Sequence, residues 1–226
     1  MNRGSSVDWR LTAGGSAQFG RETFRLAYDE ARAKAIASDD LALIRNYYIQ
    51  RGSHFAGMPN IVEFGLTLTR GSDWLSEGGE TLYMTDIVAS EVYGACQRLK
   101  TKAASNIKFS VLNNQQDIRL LPTFSLLYSV LSLQLAQATT LAQVLGLLLP
   151  KLDAGSLALI RAPTQHKLYQ FMLPGTEVAD ELNIIPQWKI FELFESNGFS
   201  LVLVQEDPLL RVADVLYTTV LAQRRN

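Results

Sequence analysis

The sequence has few of the side chains on which disulfides and metal sites depend. Its 226 residues include one cysteine, Cys96, and two histidines, His54 and His166. A lone cysteine can form neither an intrachain disulfide nor a cysteine metal cluster, which favours the cytoplasm, another reducing compartment or an assembled particle. Neither histidine has a second one at ligand spacing, so we expect no metal site.

Recognisable catalytic motifs are also absent. There is no Gly-x-Ser-x-Gly elbow, and no Gly-x-Gly-x-x-Gly follows a strand pattern. The run from Gly15 to Thr23 is partly similar to a phosphate-binding loop, but Arg21 replaces the lysine and Glu22 adds negative charge. We therefore expect no cofactor, no catalytic residues and no enzymatic activity. An enzyme built around His54 or His166 is kept as a second alternative.

Charge is scarce, at 19% of residues with a net charge of -1. The net charge of the protein therefore gives no long-range attraction to nucleic acid or to a membrane. One segment, Leu120 to Pro150, carries no charged residue. It is long enough to cross a bilayer, but its glutamines, serines and threonines would be costly there. We expect no membrane span.

The same segment dominates the fold prediction. Leu127, Val130, Leu131 and Leu135 recur at helical spacing, and leucines and valines repeat this after Thr140. This pattern predicts a buried apolar helical hairpin at about 120–150. Strands are predicted at Ile61–Thr69, Ile107–Leu112, Ile118–Leu121 and Phe199–Gln205, with a hairpin of Leu157–Ala162 and Leu168–Leu173 and a last helix after Asp207–Pro208.

The predicted fold class is α+β, with mixed helices and mainly antiparallel strands around the apolar hairpin. Residues 1–20 are rich in Gly and Ser and are predicted to form an N-terminal arm. Residues 21–226 are predicted to form a single globular domain, within which 21–60 could be a helical subdomain.

Aromatic residues within glycine-containing segments give the first functional hypothesis. Trp9, Phe19, Phe55 and Trp74 are of the type that anchors protein interfaces. Together with the missing catalytic motifs, they favour a non-catalytic structural or assembly subunit. Its expected partners are other protein chains, copies of itself first.

A basic segment gives the alternative hypothesis. Between Glu91 and Asp153 the only acid is Asp117, and the segment 98–119 contains five basic residues: Arg98, Lys100, Lys102, Lys108 and Arg119. Such clusters neutralise phosphate backbones, which favours a subunit that binds single-stranded nucleic acid. The bland explanation is that basic residues collect at a helix C-terminus because the helix dipole favours them there.

Overall fold

Seven strands form one sheet in the part of the chain that the structure describes. The structure is a computed structural model and describes residues 30–55, 57–66, 72–99, 105–130, 138–166, 185–207 and 215–226. In chain order the elements are α1 (Glu30–Gln50), β1 (Met58–Phe64), α2 (Ser72–Gly78), β2 (Gly79–Asp86), α3 (Ala89–Leu99), β3 (Ile107–Val111), α4 (Gln115–Leu120), β4 (Phe124–Val130), α5 (Ala138–Leu148), a short 3-10 helix (Leu149–Lys151), β5 (Leu152–His166), α6 (Gln187–Ser196), β6 (Phe199–Glu206) and β7 (Val215–Arg224).

The strand order is β3-β2-β1-β4-β5-β7-β6. The first five strands are parallel, and β7 runs antiparallel between β5 and β6. In chain order, β2 and β3 are added on one side of β1. Strand β4 then pairs with the other side of β1, and the later strands extend the sheet from β4. This is a doubly wound, Rossmann-like sheet, in which the change of side creates a crevice at the carboxyl ends of β1 and β4.

Helices cover the sheet on both faces. Residues from α1, α2 and α3, among them Ile44, Leu75 and Val92, pack with one set of strand side chains, and we call this side the α1 face. Residues from α4, α5 and α6 pack on the other set, and we call this the α5 face. Strands buried on both faces are continuously apolar, which is why β4 contains no charged residue.

The predicted helical hairpin at 120–150 is wrong. Among its described residues, Phe124–Val130 form the central strand β4 and Ala138–Leu148 form the helix α5. An apolar run with small polar interruptions fits a buried strand as well as a buried helix, because periodicity alone does not separate them. The expectation of mainly antiparallel strands is also wrong, since β1 to β5 are parallel.

Two further elements differ from prediction. The expected strand Ile118–Leu121 lies in and directly after α4, whose first turn is capped by Asn114. The expected last helix is the strand β7 from Val215, which pairs with β5 and β6. The predicted strand Ile61–Thr69 overlaps β1 at residues 61–64 but runs past its end at Phe64, and residues 67–69 lie outside the described part of the chain. The predicted strand Phe199–Gln205 matches β6.

The predicted arm at 1–20 lies outside the described residues, as does the second strand of the predicted hairpin at 168–173. The division of the chain into an arm and one domain therefore stays a prediction. No helix in the described ranges is long and apolar enough to cross a membrane.

Candidate functional site

The crevice between β1 and β4 is the place where this topology builds a ligand site. Strand β1 ends at Phe64, and the next residue, Gly65, has a φ of 89°. This left-handed conformation is easy for glycine and strained for other residues. The chain can therefore turn sharply out of the sheet where β1 ends.

Side-chain hydroxyls fix the strand ends around this turn. Thr85 Oγ1 donates to the carbonyl of Glu63 at 3.0 Å, and Ser129 Oγ donates to the carbonyl of Phe64 at 2.9 Å. The amide of Gly65 donates to the carbonyl of Thr85 at 2.9 Å. Strands β2 and β4 thus both hold the end of β1, although the backbone pairing of β1 with β4 ends at Glu63.

Asp86 ends β2 beside this turn and is 5% exposed. Its Oδ2 accepts from the amide of Leu66 at 2.8 Å, and its Oδ1 accepts from the amide of Val88 at 2.9 Å. Burial raises the pKa of Asp86 to about 6, while the hydrogen bonds from Leu66 and Val88 act in the opposite direction. The carboxylate joins the turn after β1 to the start of α3.

The turn after β3 brings amide side chains to the same edge. Asn114 caps α4 by accepting from the amide of Gln116 at 2.8 Å. Asp117 Oδ2 accepts from the amides of Asn113 and Asn114 at 2.7 and 3.2 Å. This capping box gives the turn a defined shape, and the amide of Leu112 ties it to the carbonyl of Asp86 at 2.8 Å.

A buried ion cluster lies further along the edge, on the α1 face. Arg161 of β5 is 0% exposed and donates to Asp40 at 2.7 Å, to Asp39 at 2.7 Å and to Asp207. Burial raises the pKa of Asp40 to about 6, an effect that Arg161 opposes. Burial alone would lower the pKa of Arg161, but Asp40 and Asp207 raise it above its usual value. The cluster fastens α1 to the carboxyl ends of β5 and β6.

The five predicted nucleic-acid contacts do not form one cluster among the described residues. Arg98 ends α3 and donates to the carbonyl of Leu66 at 3.3 Å. Lys108 lies over the ring of Tyr83, which packs on the α5 face, the opposite side of the sheet from α3. Arg119 is exposed on α4, and Lys100 and Lys102 lie outside the described residues.

The structure describes two of the four predicted interface aromatics. Phe55 and Trp74 are 8% and 9% exposed, and their ring centroids are 5.7 Å apart. Both pack in the cluster on the α1 face. Trp9 and Phe19 lie outside the described residues. Of the histidines, His54 is exposed after α1, and the backbone of His166 ends β5.

Sequence reasoning missed the residues that shape the crevice, which are Glu63, Gly65, Asp86 and Ser129. One signal was available: an apolar strand, then Gly65, and then an acid at the end of the next strand about 20 residues later. Thr67 and Arg70 stand where the second and third glycines of the Gly-x-Gly-x-x-Gly pattern would be. The full glycine-rich pattern is therefore absent at this position of the sequence.

Neither models of protein families nor curated protein sequences give a match to this chain. Solved structures do match. The N-methyltransferase NodS from Bradyrhizobium japonicum WM9 superposes with a TM-score of 0.62 at 15% identity, over 88% of this chain and 99% of its own. Magnesium protoporphyrin IX methyltransferase (ChlM) from Synechocystis PCC 6803, solved with bound SAH, superposes with a TM-score of 0.64 at 14% identity, over 96% and 100%.

The fold is that of the SAM-dependent methyltransferases. The same fold also carries other chemistry, since the [4+2]-cyclase SpnF superposes with a TM-score of 0.57 at 12% identity, over 75% of this chain and 76% of its own. The methyltransferase fold overturns three linked expectations: a non-catalytic structural or assembly subunit, the absence of enzymatic activity, and a core built on an apolar hairpin. The first two failed because the crevice is formed by strand ends and carries no recognised catalytic motif, and the third failed because periodicity does not separate a buried strand from a buried helix.

Proposed function

We propose that this protein binds S-adenosylmethionine in the crevice at the carboxyl ends of β1 and β4, against the ends of the neighbouring strands β2 and β3, and transfers its methyl group to an acceptor. The observation that carries the proposal is the position of Asp86. It ends β2, next to the switch point, and its carboxylate is hydrogen-bonded to the turn that leaves β1. In doubly wound folds, an acid at this place hydrogen-bonds ribose hydroxyls.

The residues of the crevice fit an adenosyl group. A carboxylate offers about four acceptor positions, so Asp86 can hold the amides of Leu66, Ile87 and Val88 and still accept from a ribose hydroxyl. Asn113 and Asn114, at the end of β3, carry amide groups of the kind that can read the edge of adenine. Gly65 leaves room beside the backbone at the turn.

The sequence departs from the glycine-rich pattern at Thr67 and Arg70, and the chemistry of S-adenosylmethionine is compatible with this departure. The second glycine of that pattern lets the backbone approach a pyrophosphate closely. S-adenosylmethionine has no pyrophosphate, so a side chain at that position does not remove a required contact. The neighbours ChlM and NodS were solved with SAM or SAH bound, which supports the same ligand class here.

The bound cofactor would supply an electrophilic methyl group on a sulfonium. The chain's own contribution is orientation: Asp86 would hold the ribose, and Ser129 and Thr85 keep the strand ends that form the crevice at fixed spacing. Holding two reactants in a near-attack geometry is a main source of rate enhancement for such a transfer.

Titration calorimetry with SAM and with SAH tests the binding step. We expect both to bind the wild type, and Asp86→Ala to weaken SAH binding about tenfold or more, as for a lost hydrogen bond to a charged group. Asp153→Ala, at an exposed aspartate near the start of β5, is the matched control and should bind like the wild type. Failure of the wild type to bind either compound would contradict the proposal.

Methyl transfer is tested separately, because the fold also hosts a cyclase. The protein is incubated with S-adenosylmethionine labelled in its methyl group and with pools of amine, hydroxyl and carbon acceptors. Label in an acceptor, lost in Asp86→Ala, is the expected result. Binding of SAH without transfer to any pool would contradict the catalytic half of the proposal.

A further inference from the structure

The backbone N–H and carbonyl of Leu66 are both hydrogen-bonded to side chains associated with helix α3. Leu66 follows Gly65 and is fully buried. Its N–H donates to Asp86 Oδ2 at 2.8 Å, and its carbonyl accepts from Arg98 Nη2 at 3.3 Å. Asp86 also holds the start of α3 through the amide of Val88, and Arg98 lies in the last turn of the same helix. The residue after the turn is therefore clamped from both ends of α3.

The side chain of Arg98 reaches this carbonyl by running back along α3. Helical side chains tilt toward the N-terminus, and a long one covers the preceding turn. The guanidinium passes Gly94, where a Cβ would lie 3.4 Å from Arg98 Nη1. The guanidinium therefore lies against this turn of α3 while it donates to the Leu66 carbonyl.

We propose that Arg98 is a positioning residue for the adenosyl-binding site, acting through Leu66 and Asp86. The inference rests on the proposed function and deepens it. A charged donor gives a stronger hydrogen bond to a carbonyl than a neutral one, and partial burial protects it from competing water. Holding the carbonyl fixes the peptide whose neighbouring N–H binds Asp86. The carboxylate then keeps one orientation, with its remaining acceptor positions available for a ribose.

Arg98 itself need not touch the cofactor, and this sets the expected effects of substitution. Loss of the guanidinium frees the Leu66 carbonyl and lets the turn adopt other conformations. The ligand must then select the competent one, so its apparent affinity falls by the fraction of protein in that conformation. Lysine at this position retains one charged donor and is expected to restore part of the affinity.

Calorimetric titration with SAH is carried out on the wild type, Arg98→Ala, Arg98→Lys and the control Arg119→Ala. Arg119 is exposed on α4 and has the same charge. We expect the Arg98→Ala substitution to weaken SAH binding about tenfold, as for one hydrogen bond to a charged group, with Arg98→Lys in between and the control unchanged. Equal SAH affinity of Arg98→Ala and the wild type would overturn the inference.

Hydrogen exchange of the ligand-free protein separates this inference from the proposed function. Arg98→Ala is expected to speed exchange of the Leu66 amide about tenfold while helix amides in α5 keep their wild-type rates. If the wild type does not bind SAH, the proposed function fails, and the exchange result alone tests whether Arg98 holds the backbone of Leu66. Unchanged exchange at Leu66 would overturn it. If Arg98→Ala does not fold, Arg98→Gln replaces it, with the same two outcomes.

Discussion

The hydroxyl of Tyr128, in the central strand β4, donates to Asp40 Oδ2 of helix α1 at 2.8 Å. Both side chains are buried, and Arg161 of β5 binds the other oxygen of the same carboxylate. One carboxylate thus links two neighbouring strands to the helix that covers them. Because none of these groups reaches water, each depends on the others for its hydrogen bonds.

Replacing Tyr128 by Phe removes one donor from Asp40 and leaves the ring in place. We expect the free energy of unfolding, measured in urea, to fall by about 1–3 kcal/mol, the cost of an unmade hydrogen bond to a buried polar group. Tyr93→Phe is the control, since Tyr93 is 72% exposed on α3 and should change stability very little. A Tyr128→Phe protein as stable as the wild type would contradict this role.

Replacing Arg161 by Met leaves Asp40 and Asp207 buried without their cation. Removing one partner of a buried ion pair costs about 3–5 kcal/mol, so we expect a loss of that size at pH 7. Burial raises the pKa of Asp40, and protonation of this carboxylate relieves part of the loss, so the difference from the wild type should shrink at pH 5. Combining Arg161→Met with Asp40→Asn should recover part of the stability. A double variant less stable than Arg161→Met would argue against the cluster as described.

The pKa of Asp86 predicts the direction of a pH effect. Burial raises the pKa from 3.8 to about 6, so between these values the folded protein holds the proton more tightly than the unfolded chain. Stability from this group is therefore greatest at about pH 4 and falls as the pH rises through 6. The free energy of unfolding of the wild type minus that of Asp86→Asn should fall by roughly 2 kcal/mol from pH 4 to pH 7. A rise over that range would refute the assignment.

Alanine substitutions at Gly65 and Gly146 are expected to have opposite effects on stability. Gly65→Ala places a Cβ at a φ of 89° and is expected to cost about 1–2 kcal/mol and to weaken SAH binding. Gly146→Ala, inside α5, adds a Cβ with ordinary contact to Leu193 at 3.8 Å and is expected to stabilise by about 0.5–1 kcal/mol. Thermal unfolding of both variants checks the contrast, and a neutral Gly65→Ala would contradict the strained turn.

Sequence patterns identified several elements correctly, and each rests on local chemistry. Strand β1 was predicted from the alternation that begins at Ile61, although its setting is a central parallel strand with Glu63 buried. A capping residue at Thr85 or Asp86 predicts a helix that starts there; this corresponds to α3, and Asp86 does hold an amide at its start. The spacing of Trp188, Phe191 and Phe194 predicts a second helix, which is α6. These elements carry their signals within a few residues.

The sequence by itself determined that the chain has a large apolar core, where several strands and helices lie, and that most of the described residues in the uncharged segment 120–150 are buried. Only the tertiary structure decided that β4 and β7 are strands, because an apolar segment takes its hydrogen bonds from whichever neighbours the fold provides. The tertiary structure also decided which residues come together at the candidate site. Glu63, Asp86 and Ser129 lie near one another because parallel strands bring their carboxyl ends to one edge of the sheet, and Arg98 reaches the same turn from helix α3.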